Sequence, residues 1–254
     1  MKITWHGTAA LSLSSEGQSI LFDPFVPLEG SAAPTTLEDY IGARAVLVTH
    51  GHFDHIWSLP DLWRATHYPI YCTKTPAKSL ERLGVEEASL HVIEPGDQLG
   101  LGPFKITVLR GHHAMFDHEL ILDTMMSPRM RAYASNLVPE AFWHLNCPEA
   151  GETVGYLVEA DGKSVLVLGS LGNVEDVDLP RNVDLMIIPY QGRSELVLPT
   201  LDMVEAVIPK RVFLDHFDDT FPPLSNQIDT SDIQEALADL IPVTVPDYGV
   251  EYQV

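Results

Sequence analysis

Ala45-Val46-Leu47-Val48-Thr49-His50-Gly51-His52-Phe53-Asp54-His55 is the stretch on which the reading of this chain turns. Its first five residues make a continuous apolar run of the kind found in a strand covered on both faces. The next six put three imidazoles and a carboxylate on one short loop. Borderline nitrogen and hard oxygen donors in that mixture suit zinc, manganese or iron. A loop at a strand end is also where a scaffold holds such groups rigidly. Three neighbouring histidines in a core would need more hydrogen-bond partners than a core supplies, so the loop reads as a metal site.

Six residues do not surround a metal alone, and further ligands are expected at other strand ends. Gly111-His112-His113 follows the apolar run Phe104–Leu109, and His216 follows Arg211–Asp215. Each taken singly reads as a surface or core histidine; beside the first loop they become candidate ligands. His6, His67, His91, His118 and His144 lack this placement.

The rest of the chain alternates strands and helices. Lys2–Trp5, Ala10–Ser14 and Ser19–Phe22 read as a meander of strands. Helices are expected over Pro60–His67 and Pro76–Leu83, the second stopped by Gly84. Ile70–Cys72 and Leu90–Ile93 read as strands. Thr153–Glu159 and Ser164–Leu168 flank the turn signal Asp161-Gly162. Leu185–Pro189 reads as a buried strand, Pro199–Val207 and Thr230–Leu240 as helices, and Val243–Val245 and Gly249–Gln253 as closing strands. Each half shows a meander followed by strand–helix alternation. That repetition implies α/β architecture, two sheets face to face with helices outside, in a single domain spanning 1–254. From about 114 to 150 the periodicity fails, and Met115, Met125, Met126 and Met130 fall there with Phe116, Tyr133, Phe142 and Trp143. This insertion is either a cover over something, since methionine surfaces adapt to varied apolar shapes, or a helical pair packed into the core.

The chain has 254 residues with 15 basic against 36 acidic, a formal charge of −21. That excess argues against partners with a polyanionic face, nucleic acid or anionic lipid, because both need clustered Lys and Arg. The apolar runs are strand-sized, so no membrane span is expected, and the N-terminus carries no signal-peptide pattern. Cys72 and Cys147 make no disulfide framework in a chain this long. A cytoplasmic protein with a small-molecule substrate is the expectation, with a homo-oligomer left open.

The motif His-x-His-x-Asp-His after a buried strand, with later strand-end histidines, resembles the metallo-β-lactamase-fold hydrolase superfamily. Lys2-Ile-Thr-Trp-His-Gly7 and Ile20-Leu-Phe-Asp-Pro-Phe25 are similar to the opening of the branch that includes ascorbate-6-phosphate lactonase. Gly155–Glu159, Ile188–Gly192 and Leu214–Pro223 extend the likeness along nearly the whole chain. The resemblance implies a four-layer αββα sandwich with the site at one edge between the sheets. It implies one metal on His50, His52 and a histidine of the His112-His113 pair, with His113 preferred on the pattern Gly111-x-His113-x-x-Phe116-Asp117. It implies a second metal on Asp54, His55 and His216.

The family commonly carries Gly-Asp at the end of the strand matched by Val165–Leu168, and that Asp bridges the two metals; here the chain reads Gly169-Ser170. Serine is a neutral, poor ligand, so one or two divalent ions are expected, the second of them labile. Asp23, Asp218 and Asp219 are candidate replacements; Asp23 reads better as a support for a ligand histidine, and the other two as solvated loop acids. The chemistry implied is hydrolysis of a small ester, lactone or phosphodiester by metal-bound hydroxide. Asp54 and His216 would be catalytic, Asp54 as a ligand or as a base toward water, His216 as a ligand or general acid. Arg193 is either a clamp for an anionic group or a solvent-facing side chain. The competing reading is a metal-binding or regulatory protein that lost catalysis with the bridging acid.

Overall fold

The computed structural model of the chain describes residues 1–114, 117–172 and 177–254. Met115, Phe116 and Asn173, and the side chains of Trp143 and His144, lie outside the described residues.

The strands are β1 (Lys2–Gly7), β2 (Ala10–Ser15), β3 (Gln18–Phe22), β4 (Val46–Leu47), β5 (Ile70–Cys72), β6 (Leu90–Val92), β7 (Gln98–Leu101), β8 (Phe104–Arg110), β9 (Val154–Ala160), β10 (Lys163–Val167), β11 (Leu185–Pro189), β12 (Val212–Asp215), β13 (Val243–Thr244) and β14 (Glu251–Gln253). The helices are α1 (Phe53–Ile56), α2 (Leu59–Thr66), α3 (Lys74–Arg82), α4 (His118–Met126), α5 (Arg129–Ala132), α6 (Ala134–Asn146), α7 (Val197–Val207) and α8 (Ser231–Leu237).

Two seven-stranded sheets run in the orders β14-β1-β2-β3-β4-β5-β6 and β13-β12-β11-β10-β9-β8-β7. In the first, β14, β1, β2 and β3 pair antiparallel, and β3 through β6 pair parallel. In the second, β7 through β10 pair antiparallel and β10 through β13 parallel. The two halves of the chain therefore repeat one topology, as their shared meander and alternation imply. This is the arrangement of two facing sheets that the resemblance implies. Its larger core lies between the sheets, where Trp5, Leu13 and Phe22 meet Phe104, Tyr156 and Ile187. A second core packs α1, α2 and α3 against the outer face of the first sheet through Val46, Val48, Phe53, Leu62 and Leu80.

Three differences from the sequence reading have physical causes. The run Ala45–Thr49 is buried throughout, but only Val46–Leu47 joins the ladder. Thr49 leaves it because its N–H donates to Asp23 Oδ1 at 2.8 Å while its carbonyl accepts from Val154 N at 2.9 Å, tying this strand end to the other sheet. Strand β7 is absent from the sequence reading because its residues alternate between exposed and half-buried and include Gly100. Asp218 is not a solvated loop acid: it is 1% exposed and accepts from Thr8 N at 3.0 Å and Tyr248 Oη at 3.0 Å.

The stretch without periodicity forms α4, α5 and α6. Among the described residues these helices bury no apolar side chain in the core: Met125 is 66% and Met126 82% exposed. They are fastened from outside. Asp117 caps α4 by accepting from Leu120 N and also accepts from Ser194 N and Oγ, both at 2.8 Å. Arg129 pairs with Asp219, and Asn136 Nδ2 donates to Pro222 O at 2.7 Å.

Candidate metal centre

Candidate ligands reach one edge of the sandwich from the C-terminal ends of strands in both sheets. His50, His52, Asp54 and His55 follow β4 and run into α1, His113 follows β8, Ser170 follows β10, Gln191 follows β11 and His216 follows β12. Gly51 lets the first loop pass under the next segment, since a Cβ there would strike the carbonyl oxygen of Pro148.

The six side chains gather as two triads, His50/His52/His113 and Asp54/His55/His216, with ligand atoms in each lying within 4.8 Å of one another. His113 stands with its ring centroid 4.8 Å from that of His50 and 4.5 Å from that of His52, whereas His112 joins neither triad. His50 Nε2 lies 3.3 Å from His52 Nδ1. His113 donates from Nδ1 to the carbonyl of Ala114 at 2.6 Å, which leaves Nε2 with its lone pair.

The second triad is oriented from behind. His55 Nδ1 donates to Asp23 Oδ2 at 2.9 Å and its Nε2 lies 3.5 Å from Asp54 Oδ2. His216 Nδ1 donates to Gln191 Oε1 at 2.8 Å and its Nε2 stands 3.0 Å from Asp54 Oδ2. Asp23 and His216 hold left-handed backbone conformations, with φ of 43° and 57°. Such strain costs roughly 1 kcal/mol or more at a residue with a side chain, and it persists where the surroundings fix the geometry. Asp23 also accepts from Thr49 Oγ1 at 2.6 Å, so it braces the loop that carries the histidines.

Electrostatics set protonation states that suit cation binding. Burial, then the neighbouring His55, His52, His113 and His216, pushes His50 well below the ordinary histidine value, leaving it a neutral donor. Burial opposes ionisation of Asp54, but the charge of His55 and the hydrogen bond from His216 outweigh it and hold the carboxyl far below its ordinary value. Burial works against charging His216, yet the hydrogen bond and charge of Asp54 raise it above 6.5. A buried ionised carboxylate with imidazoles that bind an ion once their ring protons leave is a donor set for a divalent ion of the zinc, manganese or iron type. The residues present fit such an ion.

Asp215, Asp218, Asp219 and Asp23 join neither triad, and Ser170 stands where the resemblance expects the bridging acid. Asp219 is engaged by Arg129 and by Ser225 Oγ. The Ser170 hydroxyl accepts from Ala114 N at 2.9 Å, so it steadies the segment that carries His113. Sequence reasoning missed Gln191 and Thr49, and gave Asp117 no role beyond its place in the family pattern. The strand-end position of Gln191 is the one local signal that marks it.

The triads open into a cavity of about 290 Å³. Its walls include Leu120, Ile121 and Met125 of α4, Leu224, Ile228 and Arg193.

A family model described as the beta-lactamase superfamily domain matches residues 18–216 of this chain, most of its length. The chain belongs to the beta-lactamase superfamily. A UPF0173 metal-dependent hydrolase of Archaeoglobus fulgidus is 25% identical over 241 residues, covering 93% of this chain and 90% of that protein. Among solved structures, Igni18, a metallo hydrolase of Ignicoccus hospitalis, superposes with a TM-score of 0.66 at 19% identity, over 100% of this chain and 98% of the other. CmlA of Streptomyces venezuelae, a diiron β-hydroxylase, also superposes with a TM-score of 0.66, at 13% identity, over 100% of this chain and 54% of its own. The superfamily fold thus hosts hydrolytic and oxidative chemistry, and the site has to decide between them.

Proposed function

We propose that this chain is a metal-dependent hydrolase acting on a small ester, lactone or phosphodiester. The observation that carries the reading is the pair of triads, one of three histidines and one containing a buried carboxylate, lining one cavity. The name of the Archaeoglobus relative agrees with it.

His50, His52 and His113 would hold the first ion, and Asp54, His55 and His216 a weaker second one. No carboxylate belongs to both triads among the described residues, so two divalent charges would be less neutralised here than with a shared acid. The bound ions supply Lewis acidity and lower the pKa of water toward neutrality. The remaining steps belong to the chain. Asp54, held ionised, would accept a hydrogen bond from the attacking water through a carboxylate oxygen and orient it. His216, held protonated by Asp54 and Gln191, gives its Nε2 proton to the leaving oxygen. When the second triad is filled, both residues act as ligands instead.

The test is turnover of a panel of para-nitrophenyl esters, lactones and phosphodiesters by metal-loaded protein. Loss of turnover in His52→Ala and Asp54→Ala supports the reading. Metal-loaded protein that turns over nothing in the panel favours a binding or regulatory protein on the same fold.

A further inference from the structure

Arg193 is the only Lys or Arg among the described residues lining the cavity, in a chain with 36 acidic residues against 15 basic. It lies on the loop after β11, half-buried, and its Nε donates to the carbonyl of Leu171 at 3.1 Å. That bond fixes the guanidinium at one edge and places it one residue along the chain from Ser170, which lines the cavity beside the first triad. No carboxylate pairs with Arg193 among the described residues. The acid two residues on, Glu195, accepts from Val197 N and Leu198 N, and Asp117, held against Ser194, accepts from Ser194 N, Ser194 Oγ and Leu120 N. A half-buried guanidinium whose outer N–H groups have no partner among the described residues presents the planar fork that matches carboxylate or phosphate.

The wall beside it is apolar and partly wet. Ile121 is 43% and Met125 66% exposed, both on α4, whose start is held to the Arg193 loop by the Asp117–Ser194 bonds. Leu224 and Ile228 line the cavity as well. Apolar surface standing around a single fixed cation is complementary to a molecule with an apolar body and one anionic end.

We infer that the cavity selects small amphipathic anions, with an oxyanion on Arg193 and an apolar chain or ring against Leu120, Ile121 and Met125. This rests on the hydrolase reading for which bond is cleaved, and names the class of molecule that carries it. Arg193 is then a specificity-determining residue, and the global charge of −21 does not bar an anionic substrate. The oxyanion is a carboxylate or a phosphate monoester, which share this recognition chemistry.

Calorimetric titration of the metal-loaded protein with phenylbutyrate, phenylbutyl phosphate and neutral phenylbutanol tests it. The wild-type chain is expected to bind at least one of the anions about tenfold or more tightly than the alcohol, as charge-assisted hydrogen bonds require. Which anion leads distinguishes carboxylate from phosphate. In Arg193→Met the ratio of anion to alcohol affinity is expected to collapse toward one. In Arg193→Lys it is expected to recover in part, because charge returns without the fork. Equal wild-type affinity for the three ligands overturns the inference, whatever the variants do. An anion preference that survives in Arg193→Met also overturns it, by assigning the preference to the metals. A chain that binds in the expected order but hydrolyses nothing sinks the hydrolase reading alone, whereas one that hydrolyses neutral esters without anion preference sinks this one alone.

Discussion

Asp23 accepts a hydrogen bond from Nδ1 of His55 at 2.9 Å, and both side chains are buried, at 1% and 2% exposure. This contact fixes the tautomer that turns His55 Nε2 toward Asp54, and the same carboxylate grips Thr49 at the base of the loop. Replacing Asp23 by Asn keeps the shape and removes the charge. Such supporting groups are worth about 10–100-fold in metal affinity. Asp23→Asn is expected to weaken the second ion by that order and the first ion less, as read by competition with a chelator. Equal weakening of both would show that Asp23 braces the whole loop instead.

Ser170 stands between the His113 segment and the cavity. Ser170→Asp supplies a carboxylate where the two triads lack a shared one, while an oxygen remains to accept from Ala114 N. The second ion is expected to bind at least tenfold more tightly in this variant, an effect of the size seen when one well-placed charge is added to a metal site. Isothermal titration with zinc reads it directly. An unchanged second affinity would mean that this position does not face both ions.

His216 donates from both ring nitrogens, to Gln191 and to Asp54, and its pKa lies above 6.5. An ion at the second triad has to displace the proton on Nε2, so binding releases protons. Because the proton-bearing form prevails below the raised pKa, apparent affinity for the second ion is expected to rise as pH climbs through that value and then level. Gln191→Leu removes the Nδ1 partner and is expected to shift this rise to lower pH. Proton release measured in two buffers of different ionisation enthalpy checks the coupling, and affinity independent of pH would contradict it.

Glu140 on α6 is fully buried, neither of its carboxylate oxygens has a hydrogen-bond partner among the described residues, and burial raises its pKa from 4.5 to about 8. A group whose pKa is raised on folding costs stability as pH rises from its unfolded value through its folded one. Glu140→Gln removes that cost. The variant is expected to melt like the parent near pH 4.5 and several degrees above it at pH 8, with the gap opening between. A gap of constant size across that range would show that folding does not raise this pKa.

The fold and the six clustered side chains were legible because their signals are local. The Ala45–His55 run holds strand and ligands together, and His113 and His216 each follow an apolar run directly. The preference for His113 over His112 came from the family pattern, and the structure puts His113 beside His50 and His52. What stayed hidden depends on contacts between distant positions. Gln191 meets His216 only once β11 and β12 lie side by side, and Asp117 reaches Ser194 across 77 positions. Asp218 reads as a surface acid until Thr8, 210 positions away, is seen to donate to it. The helices of the aperiodic segment stayed unread because their described apolar side chains line a cavity or face solvent, so no single stripe among them marks a core face.

Metal content per chain tests the central claim most directly. Protein purified without added metal and desalted is expected to keep one divalent ion, measured by inductively coupled plasma mass spectrometry, and to take up a second, weaker one on titration. His52→Ala is expected to lose the first and Asp54→Ala the second. Protein that carries no metal and binds none when zinc, manganese or iron is returned would contradict the account.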